Sequence, residues 1–178
     1  ACYLGYITQA IVNNLLPLLF IIFQEDYNIS FEMLGRLILI NFSTQLTIDI
    51  LSVKFVDRVG YRISVVLAHF FCTVGLALLG VLPGMVSSPY IGLIISVVIY
   101  AVGGGLIEVL ISPIVESLPS DSKASAMSML HSFYCWGQVA VVLITTLTLK
   151  LIGNHKWFIL PIVWSIIPLY NLFKFTKV

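Results

Sequence analysis

The sequence predicts an all-α membrane protein, a bundle of six transmembrane helices. Three observations carry that reading. Of 178 residues, 60% are hydrophobic and only 10% are charged, against about 25% charged in a soluble domain. Mean hydropathy is +1.07. The apolar residues gather into six stretches, each long enough to cross about 30 Å of hydrocarbon at about 1.5 Å per residue. Nine basic and eight acidic side chains could not cover a soluble protein of this size. The length predicts one domain over residues 1–178.

The first stretch runs from Ala1 to about Phe23 and ends at the polar Gln24-Glu25-Asp26. The second runs from Phe31 to about Val56, with Ser30 as its N-cap, because a serine oxygen can accept from a free first-turn N–H. The third covers Ile63 to Leu82 and is expected to stop at Pro83-Gly84. The fourth begins near Tyr90, after Ser87-Ser88-Pro89, and continues to about Leu118. The fifth spans about Ala124 to Leu149, and the sixth Trp157 to about Phe173. A membrane barrel would instead show alternating segments of about ten residues.

Connections this short make successive helices antiparallel. Lys54, Arg58, Arg62, Lys123, Lys174 and Lys177 fall on one side, and Arg36, Lys150 and Lys156 on the other. Positive charge is retained on the cytoplasmic side, so both termini are expected in the cytoplasm. Pro17 lies near the outer end of the first stretch and Pro113 near the inner end of the fourth. Opposite depths are what a three-plus-three inverted repeat gives.

Several classes drop out. A net charge of +1 supplies no basic face for nucleic acid. Cys2, Cys72 and Cys135 are far apart inside apolar runs, without metal-ligand spacing, and read as small buried side chains. Gly103-Gly104-Gly105 is not a phosphate loop, since no lysine follows it. No metal and no cofactor is expected. The chain starts without Met inside an apolar stretch, which reads as a trimmed or incomplete chain rather than a signal peptide.

Polar groups inside a membrane cost free energy, about 2.5–3.5 kcal/mol for a central charge on insertion scales, and need a reason. Gln9 and Asn13 share a face of the first helix. Asn41, Gln45 and Asp49 follow at four-residue steps on the second. Glu108 precedes Ser112 and Glu116 on one face of the fourth, and His131, Tyr134 and Gln138 share a face of the fifth. A carboxylate at the depth of Glu108 is protonated or faces water. That makes Glu108 the expected proton site, with Gln9, Asn13, His131 and Gln138 as further substrate contacts. Interhelical hydrogen bonding is the competing reading for the amides, and packing for His131. Asp49 is expected to bond to neighbouring helix ends. Asp57 at the inner end of the second helix reads as a latch toward an adjacent helix N-terminus, or as part of an ordinary turn.

The loop Asp57-Arg58-Val59-Gly60-Tyr61-Arg62 resembles the signature between the second and third helices of the major facilitator superfamily. Glu116, Pro119, Lys123 and Ala126 fit a later loop of that superfamily. Asn13-Asn14-Leu15 with Phe23-Gln24 is similar to the fucose permease-like branch of sugar:proton symporters. So are Gly105-x-x-Glu108 with Pro113 and Val115, and His131-Ser132-Phe133 with Gly137. The resemblance implies the N-terminal half of a twelve-helix transporter in a bacterial plasma membrane. It moves a small solute, a sugar in that branch, by alternating access coupled to protons. Its partners are the proton, the bilayer and a missing C-terminal six-helix half. The branch's second acid falls at Pro17 by ungapped counting and is absent here. Two alternatives are a small carrier acting as a dimer and an intramembrane serine-protease-like enzyme. The second lacks a G-x-S-x-G nucleophile context.

Overall fold

The computed structural model describes residues 1–117, 119 and 122–177, with Val53 described by its backbone alone, and contains helices without strands among them. The first apolar stretch is two helices, α1 (Cys2–Leu18) and α2 (Phe20–Tyr27), meeting at 44°. One unbroken helix to Phe23 was expected. Pro17 explains the difference, because it has no N–H for the Asn13 carbonyl and its ring crowds that carbonyl. Leu19 N–H closes instead onto Leu16 O at 3.1 Å, a tighter turn.

Asn28 in the left-handed conformation turns the chain into α3 (Phe31–Val59). Ser30 caps α3 as expected, its Oγ accepting from Met33 N–H at 3.2 Å. Gly60 alone, at φ +88°, separates α3 from α4 (Tyr61–Met85). α4 continues through Pro83 rather than stopping at Leu82. The proline ring rests against Gly92, and the helix needs only two more residues to finish. α5 (Pro89–Ser117) passes through Pro113 without ending, and the expected limit Leu118 lies outside the described residues. α6 (Lys123–Ile152) is longer at both ends than expected. Gly153 and a 3-10 turn (Asn154–Lys156) lead to α7 (Ile159–Trp164) and α8 (Ile166–Lys177). These two replace the single sixth helix expected from Trp157 to Phe173, because Pro168 withholds the N–H that would reach the Trp164 carbonyl. Together they still supply one 19-residue apolar span. Among the described residues five helices or helix runs are long and apolar enough to cross a membrane, and counting the bent α1–α2 pair makes six.

α5 is the centre of the bundle. In its most apolar window 61% of residues are buried, against 22% in α3 and 17% in α6. Three successive glycines make this possible, since residues 100° apart on a helix face three neighbours. A Cβ on Gly103 would strike the Ala68 carbonyl and Cys72 of α4. On Gly104 it would meet Val12 of α1 at 3.0 Å, and on Gly105 the Gln45 carbonyl of α3 at 2.8 Å. Gly75 of α4 lies equally close to the Tyr100 backbone. On the far side of α1, Gly137 of α6 packs against Ala10 and Ile7. The main pairings of the outer helices are therefore α1 with α6 and α3 with α5. Exchanging the first three spans with the last three maps one pair onto the other.

Buried polar bonds fasten the remaining helices. His69, fully buried, donates Nδ1–H to the Val65 carbonyl at 2.8 Å, which leaves Nε2 to accept from Asn171 Nδ2 of α8 at 2.8 Å. The same amide reaches Ala1 O at 3.1 Å, joining α4, α8 and the start of α1. Trp164 Nε1 donates to Thr145 Oγ1 at 3.0 Å, tying α7 to α6. Arg62 donates to the Thr176 carbonyl. Of the cysteines only Cys72 is buried; Cys2 is half-buried and Cys135 exposed, which corrects the expectation of three buried thiols. Cys135 lies on α6, the least covered span.

Candidate functional site

Polar residues from α1, α5 and α6 converge on a cavity of about 200 Å³ lined by Tyr6, Gln9, Asn13, Glu108, His131 and Tyr134. Each wall follows from helix spacing. Tyr6, Gln9 and Asn13 stand three and four residues apart and form one stripe of α1, and His131 and Tyr134 do the same on α6. Glu108 is placed by the glycines before it, which draw α5 between α1 and α3. A larger apolar crevice of about 420 Å³ lies between α3, α4 and α5, but no polar group opens into it. It offers nothing with which to orient a polar solute.

Behind the cavity wall runs a chain of amides. Gln9 Nε2 donates to Glu108 Oε2 at 3.3 Å and to Gln45 Oε1 at 3.0 Å. Gln45 Nε2 donates in turn to Asn13 Oδ1 at 2.9 Å and to Asn41 Oδ1 at 3.1 Å. Five side chains from α1, α3 and α5 are thereby joined. Gln9, Asn41 and Gln45 are buried, whereas Glu108 is exposed to the cavity. The buried Gln9 Oε1 has no partner among the described residues. It lies 3.3 Å from where a Cβ on Gly104 would sit, so α5 backbone closes off its outer side.

The opposite wall is aromatic. Tyr6 meets His131 edge-on at 5.5 Å and Tyr134 edge-on at 6.4 Å. The Tyr6 hydroxyl is 2.7 Å from Ser112 Oγ, one turn beyond Glu108. Tyr3 stacks on Phe133 at 4.5 Å and extends the α1–α6 contact away from the cavity. Among the described residues neither Lys nor Arg lines the cavity, and Glu108 is the one carboxylate that does. Its one carboxylate therefore faces hydroxyls, amides and an imidazole, an arrangement that can hold a proton or orient a polar solute but repels an anion.

Of the residues expected at the site, Gln9, Asn13, Glu108 and His131 come together here. Gln138 is exposed two turns along α6 and is not among the lining residues. Asp49 has a buried Oδ1 without a hydrogen-bond partner among the described residues, so no helix end receives it. Asp57, Arg58, Gly60 and Arg62 lie at the exposed turn between α3 and α4, where Arg62 bonds to α8 and Ser64 Oγ donates to the Gly60 carbonyl. Tyr6 was not foreseen. Its signal was available, since it stands one turn before Gln9 on the same stripe.

The family model of the Major Facilitator Superfamily matches residues 2–175. No curated protein and no solved structure matches the chain.

Proposed function

The chain belongs to the major facilitator superfamily, whose members carry small solutes across membranes, and from that premise we propose that it is the N-terminal six-helix half of a secondary transporter. A C-terminal half of the same protein completes the cavity, and the substrate site alternates between the two sides of the bilayer. The termini of this half face the cytoplasm, in keeping with the six basic residues on that side. Glu108 carries the coupling proton. Gln9, Asn13 and His131 hold the solute, with Gln138 joining them from farther along α6. A sugar, as in the fucose permease-like branch, is the finer reading, and amides beside tyrosines suit its hydroxyls.

The observation that carries the proposal is Glu108 itself, a carboxylate on the most enclosed span that is open to a polar cavity and holds one long hydrogen bond. An acid so placed takes up and releases a proton as water reaches it from one side and then the other. The test is transport by the full-length protein in vesicles, using a panel of sugars and small organic solutes. Glu108→Gln is expected to abolish uphill accumulation and to spare exchange down a gradient. Full accumulation by that variant would end the assignment.

A further inference from the structure

We propose that Gln45, which lies outside the cavity, sets the proton affinity of Glu108 by fixing the orientation of Gln9. The inference rests on Glu108 being the proton site. Gln9 has two N–H hydrogens and one oxygen, and they are unequally served. Both hydrogens are spent, one on Glu108 Oε2 and one on Gln45 Oε1, while Gln9 Oε1 is buried without a partner among the described residues. Without Gln45 the amide is free to turn, so that its oxygen, rather than an N–H, faces Glu108 and accepts from the protonated acid. Gln45 prevents the turn. Its oxygen requires a donor from Gln9, and it reverses only together with Asn13 and Asn41, whose oxygens accept both its hydrogens. Gln45 is 3% exposed, so no water can take over either duty. The outcome is an N–H rather than a carbonyl directed at Glu108, which favours the ionised carboxylate.

The other titratable groups around Glu108 leave this assignment standing. Tyr6 of α1 is bonded to Ser112, and His131 and Tyr134 of α6 face the same cavity without a bond to the carboxylate. Asp49, a second acid, stands one turn beyond Gln45 on α3. α4 contributes no residue to the cavity lining, and Glu116 follows on α5 two turns away. The Gln9 amide is thus the hydrogen-bond donor to Glu108 from another helix, and its direction is the variable that Gln45 controls.

The test uses the proton alone as ligand. The full-length protein is reconstituted in phosphatidylcholine vesicles, and the protonation of Glu108 is followed across a pH titration as the carboxyl band in the infrared difference between the protein and its Glu108→Gln variant, which cancels the other Asp and Glu side chains. Gln45→Met is expected to raise the proton affinity of the band about tenfold, the effect of losing one hydrogen bond to a charged group. In a Gln9→Met background the same substitution is expected to add nothing, because Gln45 acts only through Gln9. An unchanged titration in Gln45→Met, or an equal shift in both backgrounds, overturns the proposal. If Gln45→Met does not insert or fold, Asn41→Leu loosens Gln45 without deleting it and must shift the band in the same direction; no shift there also overturns the proposal. A difference spectrum with no titrating carboxyl component refutes Glu108 as the proton site, an outcome distinct from a failure of Gln45 alone.

Discussion

Replacing Gly103 by alanine tests whether α5 occupies the centre of the bundle because its glycines admit the neighbouring backbones. A Cβ at this position would lie 2.6 Å from Cys72 Sγ and 2.7 Å from Cys72 N, and closer still to the Ala68 carbonyl. Ordinary contact begins at 3.4 Å, so α4 and α5 must separate by about 0.7 Å or more. Two of the three obstructing atoms are backbone, which no side-chain rotation relieves. Overpacking of this kind costs about 1–3 kcal/mol. The substitution also gains about 1 kcal/mol of helix propensity, which would hide part of the loss. Gly35→Ala supplies the comparison, because a Cβ there meets nothing within 4 Å and collects the same propensity gain. The difference between the two variants therefore isolates the steric term. Unfolding of the chain in mixed micelles, titrated with sodium dodecyl sulfate and followed by circular dichroism, measures both. Gly103→Ala is expected to be about 1–3 kcal/mol less stable than Gly35→Ala. Equal stability, or the reverse order, would refute the close approach of α4 and α5.

Ser30→Ala is expected to cost about 1 kcal/mol in the same assay, with the loss confined to fraying at the start of α3, because one side-chain oxygen satisfies Met33 N–H there. Hydrogen exchange of residues 31–34 checks where the loss falls. Asn171→Leu removes the donor to His69 Nε2 and to Ala1 O together. It is expected to destabilise by about 1–3 kcal/mol, since the buried imidazole nitrogen is left without a partner. Fluorescence-monitored unfolding that shows no change would mean that the α4–α8 junction does not depend on this amide.

What the sequence disclosed was whatever follows from composition and from neighbours along one helix. Hydropathy located every span, and the Ser30 cap was legible because serine before an apolar run has a local purpose. Glu108 stood out because a carboxylate in an apolar helix is costly wherever the helix goes. The prolines misled in both directions. Pro17 and Pro168 interrupt their spans, while α4 continues past Pro83; only Pro113 sits inside its helix as expected. The outcome depends on tertiary packing, such as Gly92 against Pro83, that lies outside the local sequence. The amide chain was half-legible. Asn41 and Gln45 share a face by spacing, but the bond from Gln9 to Gln45 joins residues 36 apart in the chain and requires knowing that α5 brings α1 and α3 together. Tyr6 was overlooked because a tyrosine in a membrane helix is ordinary until its hydroxyl is seen to meet Ser112.

The three thiols sit in three different surroundings. Cys72 is sealed between α4 and α5, Cys2 is half covered, and Cys135 stands open on α6 one turn from His131. The polypeptide therefore carries a native reporter beside the cavity wall and a silent internal control. Alkylation by a reagent too polar to enter lipid tells whether Cys135 meets water or lipid, with no engineered label in the chain.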